Sequence, residues 1–186
     1  MVREMDTARR SAIIVPIRLP AELDAIRMRE VASARAGAPA HVTLLFPFVP
    51  ARELRDEHLA KVAEVVASVR AFDVVLREVR RWDAGGAAPE GVIWLDPEPA
   101  EPFVELTKAL GRAFPDHQPY GGIHDTIIPH LTIASDDRRR LRAVQAEAVR
   151  SLPLRRRVSN AILIVEGRDG RWRTRRRFPL GPRSAP

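Results

Sequence analysis

The tetrad His41-Val42-Thr43-Leu44 returns as His130-Leu131-Thr132-Ile133, and a His-apolar-Thr-apolar pattern written twice constrains this chain more than anything else in it. On a β-strand, side chains two apart share a face. Each histidine therefore stands beside its threonine, while Val42, Leu44, Phe46 and Phe48, and in the second copy Leu131 and Ile133, are expected on the opposite, packed face. The two histidines lie 89 positions apart in 186 residues. A separation of about half the chain predicts two similar halves, each contributing one polar strand face.

Hydrophobic spacing fits a repeat of that kind. In the first half, Ser11 to Arg18 reads as an apolar strand, and Pro20 to about Ala34 as a helix with Leu23, Ile26, Met28 and Val31 at helical spacing. The first His-x-Thr strand runs to about Val49. A helix from Glu53 to Val69 carries Leu54, His58, Val62, Val65 and Val69, and a strand from Phe72 to Trp82 closes the half. The second half begins with a strand from Gly91 to Asp96 and a helix from Glu101 to Phe114. The second His-x-Thr strand, a helix from Asp137 to Leu152, and strands Arg156 to Glu166 and Trp172 to Pro179 follow. Asp169-Gly170 supplies the turn of that last hairpin. The expected architecture is α+β, with two β-α-β-α-β halves (about 11–82 and 91–180), interleaved in space, inside one domain spanning 1–186. Asp83 to Glu90 and Pro115 to Pro129, with their Gly and Pro residues, are expected as exposed loops.

Composition narrows the function classes. The chain has no cysteine, which excludes disulfides, thiol nucleophiles and thiolate metal sites. No apolar run of about eighteen residues could span a bilayer, and Arg3, Glu4 and Asp6 leave no room for an apolar signal segment, so a cytoplasmic protein without membrane association is expected. The formal charge of +7 favours anionic partners. Of 31 basic residues only Lys61 and Lys108 are lysines. The arginine runs 138–140, 155–157 and 175–177 fit a solvated face as well as an RNA backbone. Nothing in the sequence sets the oligomeric state, and a monomer is compatible with it.

The polar strand faces carry the chemistry. A neutral imidazole accepts a proton and a charged one donates it, so two such strands side by side would offer a base, an acid and two flanking hydroxyls, a set suited to a phosphodiester. His41 and His130 are the candidate catalytic residues, and Thr43 and Thr132 the candidate phosphate ligands. Tyr120 and His124, close before the second motif, are candidates for substrate contact, Tyr120 by stacking on a base. Asp116, His117, His124, Asp125 and His130 crowd one region, but their spacing matches no metal motif, and neither a P-loop nor a Gly-x-Gly-x-x-Gly is present. No metal and no cofactor are therefore expected. His58, inside an apolar helix stripe, reads as structural.

Ala40-His41-Val42-Thr43-Leu44-Leu45-Phe46-Pro47-Phe48, Pro119-Tyr120-Gly121-Gly122 and Ile128-Pro129-His130-Leu131-Thr132-Ile133-Ala134 resemble the two-histidine (2H) phosphoesterases, also called the 2′-5′ RNA ligase superfamily. The likeness spans about residues 11 to 180. It implies a bilobal fold with pseudo-twofold symmetry and antiparallel sheets around a central cleft lined by both His-x-Thr strands. It also implies metal-independent chemistry on 2′,3′-cyclic or 2′-5′ phosphodiesters of RNA or nucleotides, with 2′-5′ ligation as the reverse reaction. Two other readings stay open at this level: an RNA-binding or regulatory module with a vestigial site, and an esterase for a small non-RNA cyclic phosphate. Sequence does not say which histidine is the base.

Overall fold

The computed structural model describes residues 9–83, 91–119, 126–136 and 138–182. Among the described residues, eight strands build two four-stranded sheets. They are β1 (Ser11–Pro16), β2 (His41–Leu45), β3 (Phe72–Trp82), β4 (Gly91–Glu98), β5 (Leu131–Asp136), β6 (Leu154–Val158), β7 (Asn160–Glu166) and β8 (Trp172–Pro179). The order is β2-β1-β7-β8 in one sheet and β5-β4-β3-β6 in the other, and every pairing between these strands is antiparallel. The described residues also form the helices α1 (Ala21–Glu30), α2 (Ala32–Arg35), α3 (Asp56–Ala67), α4 (Glu101–Ala113) and α5 (Arg138–Val149).

The sheets do not follow the two halves of the sequence. Strand β3 ends the first half yet pairs with β4, and β7 from the second half pairs with β1. Helices cross over in the same way, with α1 packed on β5 and α4 packed on β2. The first half thus lends one strand and a helix, the second half two strands and a helix, and one continuous core runs from Ile13, Val15 and Leu44 to Leu95, Phe103 and Ile133. The two antiparallel sheets with their helices are the α+β arrangement that the family resemblance implies.

Inner strands read as unbroken apolar runs because both of their faces are covered. Strand β1, between β2 and β7, buries Ser11 to Val15 without a gap, and β7, between β1 and β8, buries Ala161 to Ile164. Helix α4 buries Phe103, Leu106 and Leu110 at helical spacing and has a proline in its first turn, where no intrahelical N–H is needed. The β7–β8 hairpin turns at Asp169-Gly170, with Gly170 at φ 70°, a conformation glycine adopts without steric cost.

Two expectations from spacing need correction. The helix expected from Pro20 to Ala34 breaks at Val31, whose φ of −120° and ψ of 116° are extended, and Met28 points outward at 44% exposure. The single strand expected from Arg156 to Glu166 is two: β6 pairs with β3 in one sheet, and β7 pairs with β1 in the other. Val158 and Ala161 are both buried, so the apolar pattern runs straight through a junction at Ser159 where the chain changes sheets.

Candidate active site

The two tetrads occupy equivalent strands. Strand β2 is the edge of its sheet and β5 the edge of the other, and the two edges pack against each other. Thr43 stands opposite Ile14 on β1, and Thr132 opposite Trp94 on β4. Just past each threonine the register slips: Ile13 faces Leu45 although Ile14 faces Thr43, and Ile93 faces Ala134 although Trp94 faces Thr132. The extra residue is Leu44 in one strand and Ile133 in the other, the fourth residue of each tetrad. A bulge bends its strand and increases the local twist, so both polar faces are turned at the same point.

That bulge also overturns one expectation. Strict alternation puts Phe46 on the packed face with Val42 and Leu44. The inserted residue buries Leu44 and Leu45 in succession, and Phe46 returns to the side of His41 and Thr43. There it packs at its edge on Trp172, with ring centroids 6.5 Å apart. Phe48 remains in the core, as expected.

Both imidazoles are anchored alike. Nδ1 of His41 donates to the carbonyl of Pro39 at 2.6 Å, and Nδ1 of His130 to that of Ile128 at 2.9 Å, in each case two residues upstream. A ring that donates from Nδ1 carries its lone pair, when neutral, on Nε2. Burial pushes the His41 pKa down to about 4; the Pro39 carbonyl opposes this, while the nearby positive charge of Arg27 and of His130 adds to it. His130 is also lowered by burial, against the pull of the Ile128 carbonyl. His130 therefore lies close enough for its charge to be felt at His41. On their own, both rings favour the neutral form at neutral pH.

The surroundings of the two rings differ. His41 and Thr43 line a cavity of about 470 Å³ with Phe46, Trp172, Ser33 and the Arg10–Glu166 ion pair. His130 instead meets Trp82 and Trp94 edge to face, at centroid distances of 4.7 and 6.1 Å. The ring centroids of Trp82 and Trp94 lie 4.7 Å apart, and the Trp94 indole N–H is buried with no hydrogen-bond partner among the described residues. Behind His41, Arg27 on α1 is 3% exposed and donates to the carbonyls of Ala38 and Pro39 at 2.9 and 2.8 Å.

The sequence carries a matching family signature. A model described as the 2′-5′ RNA ligase superfamily matches residues 15–170. The chain belongs to this superfamily. Among solved structures, LigT of E. coli in its apo form is 20% identical, with 93% of this chain and 98% of that one covered at a TM-score of 0.55. TT0787 of Thermus thermophilus is 22% identical over 92% and 97%, at 0.59. A second LigT structure, complexed with 3′-AMP, is 20% identical over 94% and 99%, at 0.51. No curated protein matches the chain.

Membership in the 2′-5′ RNA ligase superfamily, a group of 2H phosphoesterases, fits the four residues of the tetrads, which the fold brings to one region. Tyr120 and His124 lie outside the described residues. His117 packs on Phe48 at 5.9 Å, and among the described residues no three His, Asp or Glu side chains converge as metal ligands would. His58 caps its own helix, its Nδ1 accepting the Arg55 backbone N–H at 3.1 Å. Among the described residues no helix is long and apolar enough to cross a membrane. Sequence reasoning missed Arg27, Phe46 and the tryptophans. One signal was available: the chain has three tryptophans, and all three stand near a tetrad.

Proposed function

We propose that the protein is a phosphodiesterase acting on 2′,3′-cyclic or 2′-5′ phosphodiester bonds of RNA or nucleotides, using His41 and His130 as a proton-transfer pair and no metal or cofactor. The observation that carries this reading is the duplicated anchoring: two His-x-Thr strand faces with the same bulge and the same Nδ1-to-carbonyl hydrogen bond, on two sheet edges that pack together. In such a site one imidazole takes a proton from water as its oxygen attacks phosphorus. The other protonates the departing ribose oxygen. The Thr43 and Thr132 hydroxyls donate to the non-bridging oxygens, where negative charge grows. With a ribose 5′-hydroxyl in place of water, its oxygen bonds to the phosphorus of the cyclic phosphate, the bond to the 3′ oxygen breaks and that oxygen is protonated, which leaves a 2′-5′ bond.

Substrate charge completes the arrangement. An anionic phosphate between two rings favours protonation of one of them, reversing part of the lowering that burial imposes on both. The LigT complex with 3′-AMP supports a nucleotide-sized ligand, and the aromatic groups beside both tetrads suit a planar base. The test is hydrolysis of the four nucleoside 2′,3′-cyclic monophosphates, an oligonucleotide ending in a cyclic phosphate, and a 2′-5′-linked dinucleotide. Turnover of one of these is expected. Binding of RNA without turnover of any of them would leave a binding module with a vestigial site, and turnover of a non-nucleotide cyclic phosphate alone would remove RNA from the reading.

A further inference from the structure

We propose, resting on the paired-histidine reading above, that His41 is the general base and His130 the general acid, and that the buried Arg27 sets this division as a positioning residue behind His41. The two tetrads are alike in strand, bulge and anchoring carbonyl, so the roles must come from what surrounds them.

Arg27 supplies the asymmetry. Its guanidinium donates to the carbonyls of Ala38 and Pro39, and the Pro39 carbonyl is the one that accepts from His41 Nδ1. A buried cation thus shares an acceptor with the His41 ring. Protonating that ring would add a second positive charge beside the first where little water screens them. An arginine stays charged even when buried, although burial lowers its own pKa, and Asp24 offsets part of the charge from 3.9 Å at a position 52% exposed. Among the described residues, the other charged groups facing His41 are His130 and, across the cavity, the Arg10–Glu166 pair, whose opposite charges meet at 2.7 Å.

His130 has a different setting. Its anchoring carbonyl, Ile128, accepts from no arginine among the described residues, and its ring stands edge to face with two indoles. Arg27 acts at the Pro39 carbonyl and not at that of Ile128, so of the two rings His130 is the better place for an imidazolium. In the forward reaction, the water oxygen bonds to phosphorus while its proton passes to Nε2 of His41. The bond from phosphorus to one ribose oxygen breaks, and that oxygen takes the proton from Nε2 of His130. One proton is gained and one lost, and exchange with solvent restores the pair.

The experiment compares Arg27→Met and Arg27→Lys with the wild-type protein by two readouts. The first is NMR titration of both imidazoles in the free protein; the second is the pH profile of kcat/KM on a nucleoside 2′,3′-cyclic monophosphate. In Arg27→Met the His41 titration should rise by about one pH unit while that of His130 stays, and the acidic limb of kcat/KM should move with it. Arg27→Lys should restore the His41 titration but only part of kcat, because an ammonium lacks the planar fork that spans two carbonyls. Arg27→Gln keeps a donor for those carbonyls without the charge, so the comparison survives if Arg27→Met does not fold. The roles themselves are read from His41→Ala, which should lose the acidic limb, and His130→Ala, which should lose the alkaline one. Unmoved titrations in a folded, active Arg27 variant, or the opposite assignment of limbs, overturn this inference alone. Wild-type inactivity on every diester overturns the phosphodiesterase reading and the role assignment with it, while the titration still reports whether Arg27 acts on His41.

Discussion

Acidification should expose the cost of keeping His41 neutral inside the fold. Its pKa falls from 6.5 to about 4, chiefly because burial penalises the charged ring. Between those two values the unfolded chain binds a proton at this position and the folded protein does not. Stability from this site is therefore present above pH 6.5 and lost as the pH falls toward 4. At about 1.4 kcal/mol per pH unit, the full difference corresponds to roughly 3 kcal/mol, and partial solvation of the half-buried ring reduces it to ~2–3 kcal/mol. Urea denaturation at half-unit steps from pH 8 to pH 4, on wild type and His41→Gln, isolates this contribution because carboxylates titrate in both proteins. Wild type should lose ~2–3 kcal/mol more than the variant over that range, with most of the divergence below pH 6.5. Parallel stability curves would refute the reasoning, since they would mean that His41 titrates alike in the folded and unfolded states.

Other predictions follow from the same geometry. His41→Ala and His130→Ala should each lower kcat by on the order of a hundredfold or more on a cyclic phosphate, and the double variant should fall far short of the product of the two losses. Near-normal turnover by both single variants, correctly folded, would remove the enzymatic reading. Thr43→Ala and Thr132→Ala should lose kcat by a smaller factor with little change in KM, because their hydroxyls meet charge that develops in the transition state; a pure KM effect would place them in ground-state binding. Activity should survive exhaustive chelation, and complete loss with EDTA that zinc or manganese restores would return the cluster of residues 116 to 130 to consideration. Away from the site, a Cβ at Gly181 would collide with the backbone carbonyl of Ala67, which cannot rotate aside. Gly181→Ala should therefore cost about 1–3 kcal/mol in denaturant unfolding without changing the pH profile of activity.

Residue spacing alone sets the duplicated polar strand faces, because residues two apart must share a face on any strand and His-x-Thr appears twice at half-chain separation. It also sets the α+β element order, whose boundaries mostly agree within a few residues, since strands and helices follow local spacing. Strand Phe72–Trp82 emerges with the ends that its apolar pattern implied. Sheet membership was not legible. Nothing local distinguishes a strand that stays with its own half from one that crosses, so β3, β6 and β7 found their partners only through tertiary packing. The same holds for Phe46, which alternation sends to the core and a single bulged residue returns to the cleft. Arg27 shows the limit most sharply: fourteen positions before His41, on a helix whose charged residues look like any solvated face, it is buried behind the imidazole with its guanidinium on the Ala38 and Pro39 carbonyls. Spacing reports which way a side chain points from its own backbone. What lies opposite it depends on contacts between segments far apart in the chain.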